Sequence, residues 1–297
     1  SMLVEILMGI FIYKLISKKS KGLAKVALAA VLFNPAFIFN SSVWGQIDGL
    51  LTLLLLLSVY FLNQKKLIHA AIFFGLAFLI KPQAIAIVPI FGLFLIKNLS
   101  IKNSLQLILS ASFIIFTLSL PFFLNQPLSG FWGLFLKMVA DYPKTSLFAY
   151  NFWGAIGFWL PDNYLWNNLS YQMWGYILFS GYWIIVAYFF FKKKLSLYSL
   201  SVLAFLSFFF LPTRVHERYL YPGLIFLILT ASLWQSRLLL ILTGILSLIH
   251  FFNLYYVYVY YNEFYLNLPK ILYNPILYNF LDTFGGLISI FSTALLY

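Results

Sequence analysis

Apolar runs of nearly membrane-spanning length recur from one end of this chain to the other, and they constrain its fold more than any other feature. Residues 51–62, for example, read "LTLLLLLSVYFL" without a charge. A helix needs about 20 apolar residues to cross about 30 Å of hydrocarbon. The chain is 63% hydrophobic and 9% charged, whereas soluble domains are about 45–50% apolar and about 25% charged. The sequence therefore predicts a polytopic membrane protein.

Helices are the expected spanning elements, because a helix satisfies all of its backbone N–H and C=O groups within the segment. A barrel would need weakly alternating ten-residue strands, whereas the apolar runs here are continuous. The predicted fold class is all-α, a single integral-membrane domain over residues 1–297 with no internal repeat. About eleven hydrophobic segments are expected, at 2–16, 26–42, 49–62, 67–80, 84–96, 104–122, 173–191, 195–211, 219–234, 238–256 and 283–297.

The cations divide unevenly between alternate connections of this arrangement. The net charge is +12, and lysines that set topology explain it without a nucleic-acid partner. Twelve cations fall in short loops on one side, namely Lys18, Lys19, Lys21, Lys25, Lys65, Lys66, Lys97, Lys102, Lys192, Lys193, Lys194 and Arg237. The positive-inside rule predicts that these lysine-rich loops are cytoplasmic.

The acidic residues segregate to the opposite side. Glu5 lies in the outer half of the first span, and the other carboxylates fall in outer connections, namely Asp48, Asp141, Asp162, Glu217, Glu263 and Asp282. The outer stretch 123–172 is too polar in places to span, and "SGFWGLFLKMV" within it is typical of an amphipathic helix lying in the interface. Any chemistry is therefore expected at the outer face, periplasmic, extracellular or luminal. Thiol chemistry is excluded, because the chain has no cysteine.

The first polar connection is "NPAFIFNSSVWGQIDGLL", residues 34–51. The proline after Asn34 should kink or unwind its helix, which leaves Trp44, Gln46 and Asp48 at the water boundary. These residues are candidates for a site. They are equally typical of an aromatic-belt tryptophan and of an aspartate that caps the next helix.

Two further connections carry polar groups. In "FLIKPQAIAIVP" (78–89), Lys81 and Gln83 bracket a proline, and Lys81 either binds an anion or snorkels from a helix end. In "PTRVHERYLYPG" (212–223), Pro212 should end a helix and free the polar residues of the turn. Two arginines on the outer side oppose the positive-inside trend. They favour anion binding over an interface ion pair of Glu217 with either arginine.

Together these stretches resemble the GT-C superfamily of integral-membrane glycosyltransferases, which use polyprenyl- or dolichyl-phosphate sugars. The resemblance is closest to bacterial and archaeal GPI-type mannosyltransferase-like proteins. The matching stretches cover about a quarter of the chain, and they are residues 34–62, 75–89, 147–157 ("LFAYNFWGAIG") and 212–223. The resemblance implies inverting transfer of a hexose, with mannose favoured, to an acceptor hydroxyl at the outer membrane face.

The resemblance also implies roles for single residues. The catalytic candidates are Asp48, Glu217 and His216. The donor-phosphate candidates are Arg214, Arg218 and Lys81. The candidates for sugar or acceptor contacts are Trp44, Gln46, Gln83, Asn151 and Trp153. The implied partners are a lipid-phosphate-linked sugar donor, a glycan, lipid or protein acceptor, and membrane lipid. No cofactor and no metal are expected, although a divalent ion stays open.

One feature of the family is missing. The usual base is an Asp in the first large outer loop, after a first span, and the opening segment here matches the family's next span, on the far side of that loop. The chain therefore looks like a truncated and inactive piece of such an enzyme. Alternatives are a polymerase or ligase of lipid-linked glycans, or a transporter or flippase of them. A transporter predicts mid-membrane charges and an inverted repeat, neither of which is evident. A purely structural membrane protein would leave the segregated carboxylates unexplained.

Overall fold

The computed structural model describes residues 2–192 and 194–296, and almost all of its regular structure is helical. Lys193 therefore lies outside the described residues, as do the two terminal residues. The α-helices are α1 Met2–Ser17, α2 Lys21–Leu32, α3 Pro35–Ile38, α4 Asp48–Asn63, α5 Leu67–Ile80, α6 Val88–Asn98, α7 Ile101–Ser119, α8 Ser129–Ala140, α9 Phe152–Ile156, α10 Tyr171–Phe191, α11 Leu197–Phe210, α12 Tyr221–Trp234, α13 Arg237–Tyr258 and α14 Pro275–Ala294.

Four helical stretches in the described part of the chain are long and apolar enough to cross a membrane. They are Lys21–Val43, Ile101–Phe122, Tyr171–Phe191 and Arg237–Tyr265. The nearly all-α class is confirmed, but the expectation of about eleven hydrophobic segments is not supported. Many of the expected segments form helices too short to span, such as α4, α5 and α11. The predicted interruption at Asn34–Pro35 is confirmed, since α2 ends at Leu32 and α3 begins at Pro35.

The helix starts follow from the sequence. Ser20, Ser100 and Ser196 each accept a hydrogen bond from the backbone N–H three residues on, which satisfies an orphan donor of the first turn. Prolines occupy the first turn of other helices, as Pro222 does in α12 and Pro275 in α14. Proline fits there because no intrahelical bond needs its missing N–H. Helix boundaries are thus set locally.

Helix α12 forms the centre of the bundle. Its residues from Tyr221 to Ser232 are all buried, and it packs against α1, α2, α4, α11 and α13. The two ends of the bundle differ in chemistry. At one end Lys19 donates to the Leu233 carbonyl and Lys97 to the Phe190 carbonyl. The ion pairs between side chains lie at the other end, where α4 and α12 begin.

The expected outer stretch 123–172 forms a cap over that second end. Helix α8 covers the predicted amphipathic segment, and α9 follows later in the same stretch. The cap contains three two-residue strands, β1 Ser146–Leu147, β2 Leu165–Trp166 and β3 Leu169–Ser170, and a fourth, β4 Val215–His216, follows α11. Strand β1 pairs in parallel with β4, and β2 pairs with β3 in antiparallel fashion. The segment that follows α11 is therefore held against the cap by backbone hydrogen bonds.

Candidate functional site

Asp48 and Lys81 form a buried ion pair where α4 begins and α5 ends. Lys81 Nζ lies 2.7 Å from Asp48 Oδ1 and 3.5 Å from Gln46 Oε1. The other carboxylate oxygen, Oδ2, accepts from Asn40 Nδ2 at 3.2 Å. Asp48 is the first residue of α4 and makes no capping bond, so the capping interpretation of Asp48 is wrong. Lys81 is held by this pair rather than snorkelling alone.

A second ion pair lies in the 3₁₀ turn Glu217–Leu220. Arg218 Nη1 donates to Glu217 Oε1 at 3.1 Å, and His216 Nδ1 lies 3.7 Å from Glu217 Oε2. The Glu217 carboxylate is almost completely buried. Burial alone would raise the pKa of Glu217, but Arg218 and His216 outweigh it and hold the pKa below its usual value of 4.5. Glu217 is therefore ionised at neutral pH.

The two ion pairs interact to form one polar cluster. Arg218 acts electrostatically on Lys81, and Asp48 acts on Arg218. Burial lowers the pKa of Lys81 below its usual range, while the Asp48 carboxylate opposes that shift. Burial would also lower the pKa of Arg218, but Glu217 and Asp48 raise it above its usual value. Two cations thus share a largely desolvated space with two carboxylates, in which electrostatic interactions are stronger than in water.

Arg214 is engaged elsewhere. Its Nε lies 2.6 Å from Asp162 Oδ2, and Thr213 Oγ1 donates to the same oxygen at 3.4 Å. The backbone N–H of Arg214 donates to the carbonyls of Lys144 and Thr145, and its φ of +64° lies in the left-handed region, which is costly for a residue with a Cβ. Arg214 therefore fastens its loop to the cap.

An aromatic-walled cavity of about 470 Å³ opens directly above the second ion pair. It is lined by Trp44, Tyr142, Trp159, His216, Glu217, Arg218, Val257, Tyr260, Tyr261 and Tyr265. The His216 ring also contacts those of Tyr142 and Tyr219, with centroid separations of 5.9 and 5.4 Å. Of the three predicted catalytic residues, Glu217 and His216 line this cavity, whereas Asp48 is fully buried below it.

Three of the predicted sugar or acceptor contacts, Asn151, Trp153 and Gln83, lie away from the cavity wall, which Trp44 does line. Asn151 accepts from Gly154 N at 2.9 Å and donates to the Phe209 carbonyl at 2.9 Å. Trp153 donates to the Leu211 carbonyl at 2.7 Å. Both side chains are fully buried and pin the cap to the end of α11. Gln83 is also buried, and both atoms of its amide lack partners.

Several residues of the site escaped the sequence analysis. Asp162 was treated only as an outer carboxylate, and the aromatic wall was not foreseen, although "YYVYVYYNEFY" at 255–265 contains three of its tyrosines. Glu5 accepts from Ser41 and Tyr221, at 3.0 Å in each case. Among residues 2–192 and 194–296, no three His, Asp or Glu side chains converge to hold a metal ion.

The sequence matches no protein-family model and no curated protein. The interpretation of this site therefore rests on its residues and their geometry.

Proposed function

We propose that this membrane protein is a glycosyltransferase that takes a hexose from a lipid-phosphate donor and passes it to an acceptor hydroxyl. The observation that carries the proposal is an aromatic cavity lined by His216 and Arg218, with Lys81 within electrostatic reach of Arg218. Guanidinium and ammonium groups bind phosphate oxygens, and aromatic faces provide flat apolar surfaces for a sugar ring. Without a ligand, Lys81 is paired with Asp48, and Arg218 is paired with Glu217.

A second cavity offers room for the lipid chain of the donor. It measures about 370 Å³ and begins beside Lys81, at Pro82 and the end of α5. Its other walls come from α7 with the turn after it, and from the amphipathic helix α8. The lining is almost wholly apolar, with aromatic side chains that include Phe78, Phe122 and Phe135. An alkyl chain with an anionic head would match an apolar cavity whose wall includes the two sequence neighbours of Lys81, Ile80 and Pro82.

The proposed reaction is a single inverting displacement. The acceptor oxygen forms a bond to the anomeric carbon as the bond from that carbon to the phosphate oxygen breaks. A carboxylate takes the acceptor proton, and the lipid phosphate leaves with the bonding electrons. Glu217 is the candidate base that lines the cavity. Arg218 and Lys81 would stabilise the charge that develops on the leaving phosphate.

The orientation in the membrane is part of the proposal. The lysine-rich loops would face the cytoplasm, and the end of the bundle that carries the two ion pairs would face outward. The four long apolar helices support residence in a membrane. The shorter helices would complete a polytopic arrangement around α12.

The test is transfer of radiolabelled sugar from a polyprenyl-phosphate donor in membranes that contain the protein. Removing one preorganised hydrogen-bond donor from an oxyanion hole costs about 100-fold or more in rate. We therefore expect a loss of at least that size for Arg218→Gln made together with Glu217→Gln, a combination that removes the candidate base as well as the cation and leaves no buried charge unpaired. Arg237→Ala at the opposite end of the bundle is the matched control and should retain full activity. Transfer that survives an Arg218→Ala, His216→Ala double variant would refute the site assignment.

A further inference from the structure

His250 is a buried histidine for which the proposed reaction has no role. It lies in α13, within one of the four stretches long enough to span a membrane, and only 1% of its surface is exposed. Neither ring nitrogen has a hydrogen-bond partner. Burial of an unpartnered polar group is unfavourable, and ionisable groups inside membrane spans are functional candidates by default.

The polar neighbours of His250 on the same face of α13 are both paired. Ser247, one turn before it, accepts from Asn34 Nδ2 at 2.9 Å. Asn253, one turn after it, donates to the Phe148 carbonyl at 2.6 Å and accepts from Tyr150 N at 3.1 Å. His250 stands between these two anchors with both nitrogens free. Packing of the helix alone therefore does not account for the imidazole.

The face that carries His250 is directed toward the candidate site. Val257 lies seven residues, or two helical turns, further along α13, and it lines the aromatic cavity. Helix α13 packs against the 3₁₀ turn that contains Glu217. The Glu217 carboxylate lies within electrostatic reach of the His250 ring. The imidazole does not line the cavity itself, and it lies on a helix that packs against the turn of Glu217.

An anionic ligand would change the hydrogen-bond partners available to the Glu217 carboxylate. In the resting site that carboxylate is satisfied by Arg218 and approached by His216. A phosphate that draws Arg218 to itself leaves a buried carboxylate without its main partner, which is costly. A neutral imidazole always has one N–H to donate, and that of His250 is unused.

We propose that His250 is a positioning residue that donates a hydrogen bond to Glu217 when an anionic ligand engages Arg218. In this exchange the Glu217 side chain turns from Arg218 toward His250, and no covalent bond changes. It keeps the carboxylate ionised and oriented at the moment when Arg218 turns to the ligand. The inference rests on the proposed function in one respect, namely that the ligand of Arg218 is a lipid phosphate.

A ligand-free experiment tests the contact itself. The three histidines are labelled with ¹⁵N in the ring, and the His250 resonances are assigned by their loss in His250→Asn. Arg218→Gln frees Glu217 without any ligand, and we expect the ring resonances of His250 to shift as one N–H gains an acceptor. The shift should be absent in Arg218→Gln, Glu217→Gln. Unchanged His250 resonances in folded Arg218→Gln would overturn the proposal.

A second experiment uses the unaltered protein and does not depend on whether that variant folds. Decyl phosphate is titrated in nanodiscs, and binding is followed by the fluorescence of Trp44 and Trp159, which line the cavity. We expect the His250 resonances to shift with saturation. His250→Leu should weaken binding about 10-fold, and His250→Asn, which retains an N–H donor, should restore most of it.

The effect of His250→Leu should vanish in a Glu217→Gln background, because His250 is proposed to act through that carboxylate. A 10-fold loss that persists in Glu217→Gln would indicate a merely structural role and overturn the inference, as would unchanged binding by His250→Leu. Failure of the proposed function has a different signature. Decyl phosphate would then not bind, while the His250 shift in Arg218→Gln would still appear.

Discussion

The ion pair between Asp48 and Lys81 makes a quantitative prediction about stability. Asp48 is fully buried, and the Lys81 side chain is 18% exposed. Lys81→Met removes the cation and leaves the carboxylate with only the hydrogen bond from Asn40. Removing one partner of a buried pair costs about 3–5 kcal/mol. Because the Asn40 bond survives and Lys81 is not wholly enclosed, we expect about 3 kcal/mol.

The matched double variant separates the ion pair from the general effect of substitution. Asp48→Asn combined with Lys81→Met removes both charges and keeps a polar group against Asn40. Replacement of a whole buried pair by neutral groups is often nearly neutral, so we expect a loss of about 1 kcal/mol. The coupling energy between the two sites should therefore be about 2 kcal/mol or more, which is within the range seen for contacting residues.

The assay is reversible unfolding of the purified protein in mixed micelles, with the free energy of unfolding measured for each variant. Lys102→Met, an exposed lysine at the start of α7, is the control and should stay within about 0.5 kcal/mol of the parent protein. A loss below about 1 kcal/mol for Lys81→Met would refute the reasoning. A double variant as unstable as the single one would refute it equally.

Three further predictions concern other parts of the site. The pKa of Glu217 is lowered in the folded protein, so its ionised form stabilises the fold above the usual pKa of 4.5, and this stabilisation is lost as the pH falls below that value. The difference in melting temperature between the parent protein and Glu217→Gln should therefore shrink on acidification. A difference that stays constant would contradict this. Gly154→Ala should cost about 1–3 kcal/mol of unfolding free energy, because its added Cβ would lie 2.5 Å from a backbone oxygen. The control is Gly133→Ala, whose Cβ would meet nothing within 4 Å. This control should be neutral or slightly stabilising in the same unfolding measurement. Asp162→Asn should loosen the loop held by Arg214 and cost about 2 kcal/mol, which chemical denaturation would detect, and an unchanged midpoint would count against an anchoring role for this pair.

The sequence predicted the helical class because the signals for it are local. Apolar runs, serine caps and prolines act within a few residues of the helix that they define, as Ser20 does for α2. The number of membrane-spanning helices was harder to predict from the sequence. Runs such as 51–62 can be apolar for two reasons, and the sequence alone does not distinguish between them. One is contact with lipid, and the other is burial among helices, as for Leu55 and Leu56.

The site was predicted in part, and the errors share a cause. The motif residues Asp48, Lys81, Glu217 and Arg218 were recognised as candidates, and the structure brings them into one electrostatic cluster. Their pairing was not predictable, because an aspartate just ahead of an apolar run is expected both when Asp48 caps the helix and when it pairs with Lys81. Arg214 was assigned to a phosphate because its partner Asp162 is 52 residues away, and nothing local links the two.

The parallel pairing of β1 with β4 has a consequence for the biogenesis of the protein. Strand β1 and Asp162 leave the ribosome before α10 and α11, whereas Arg214 and Glu217 come after these helices. Asp162 therefore has no Arg214 to pair with, and β1 has no partner strand, until α10 and α11 have been synthesised. Assembly of the candidate site is thus a late event in synthesis, because it requires α10 and α11 to be in place first.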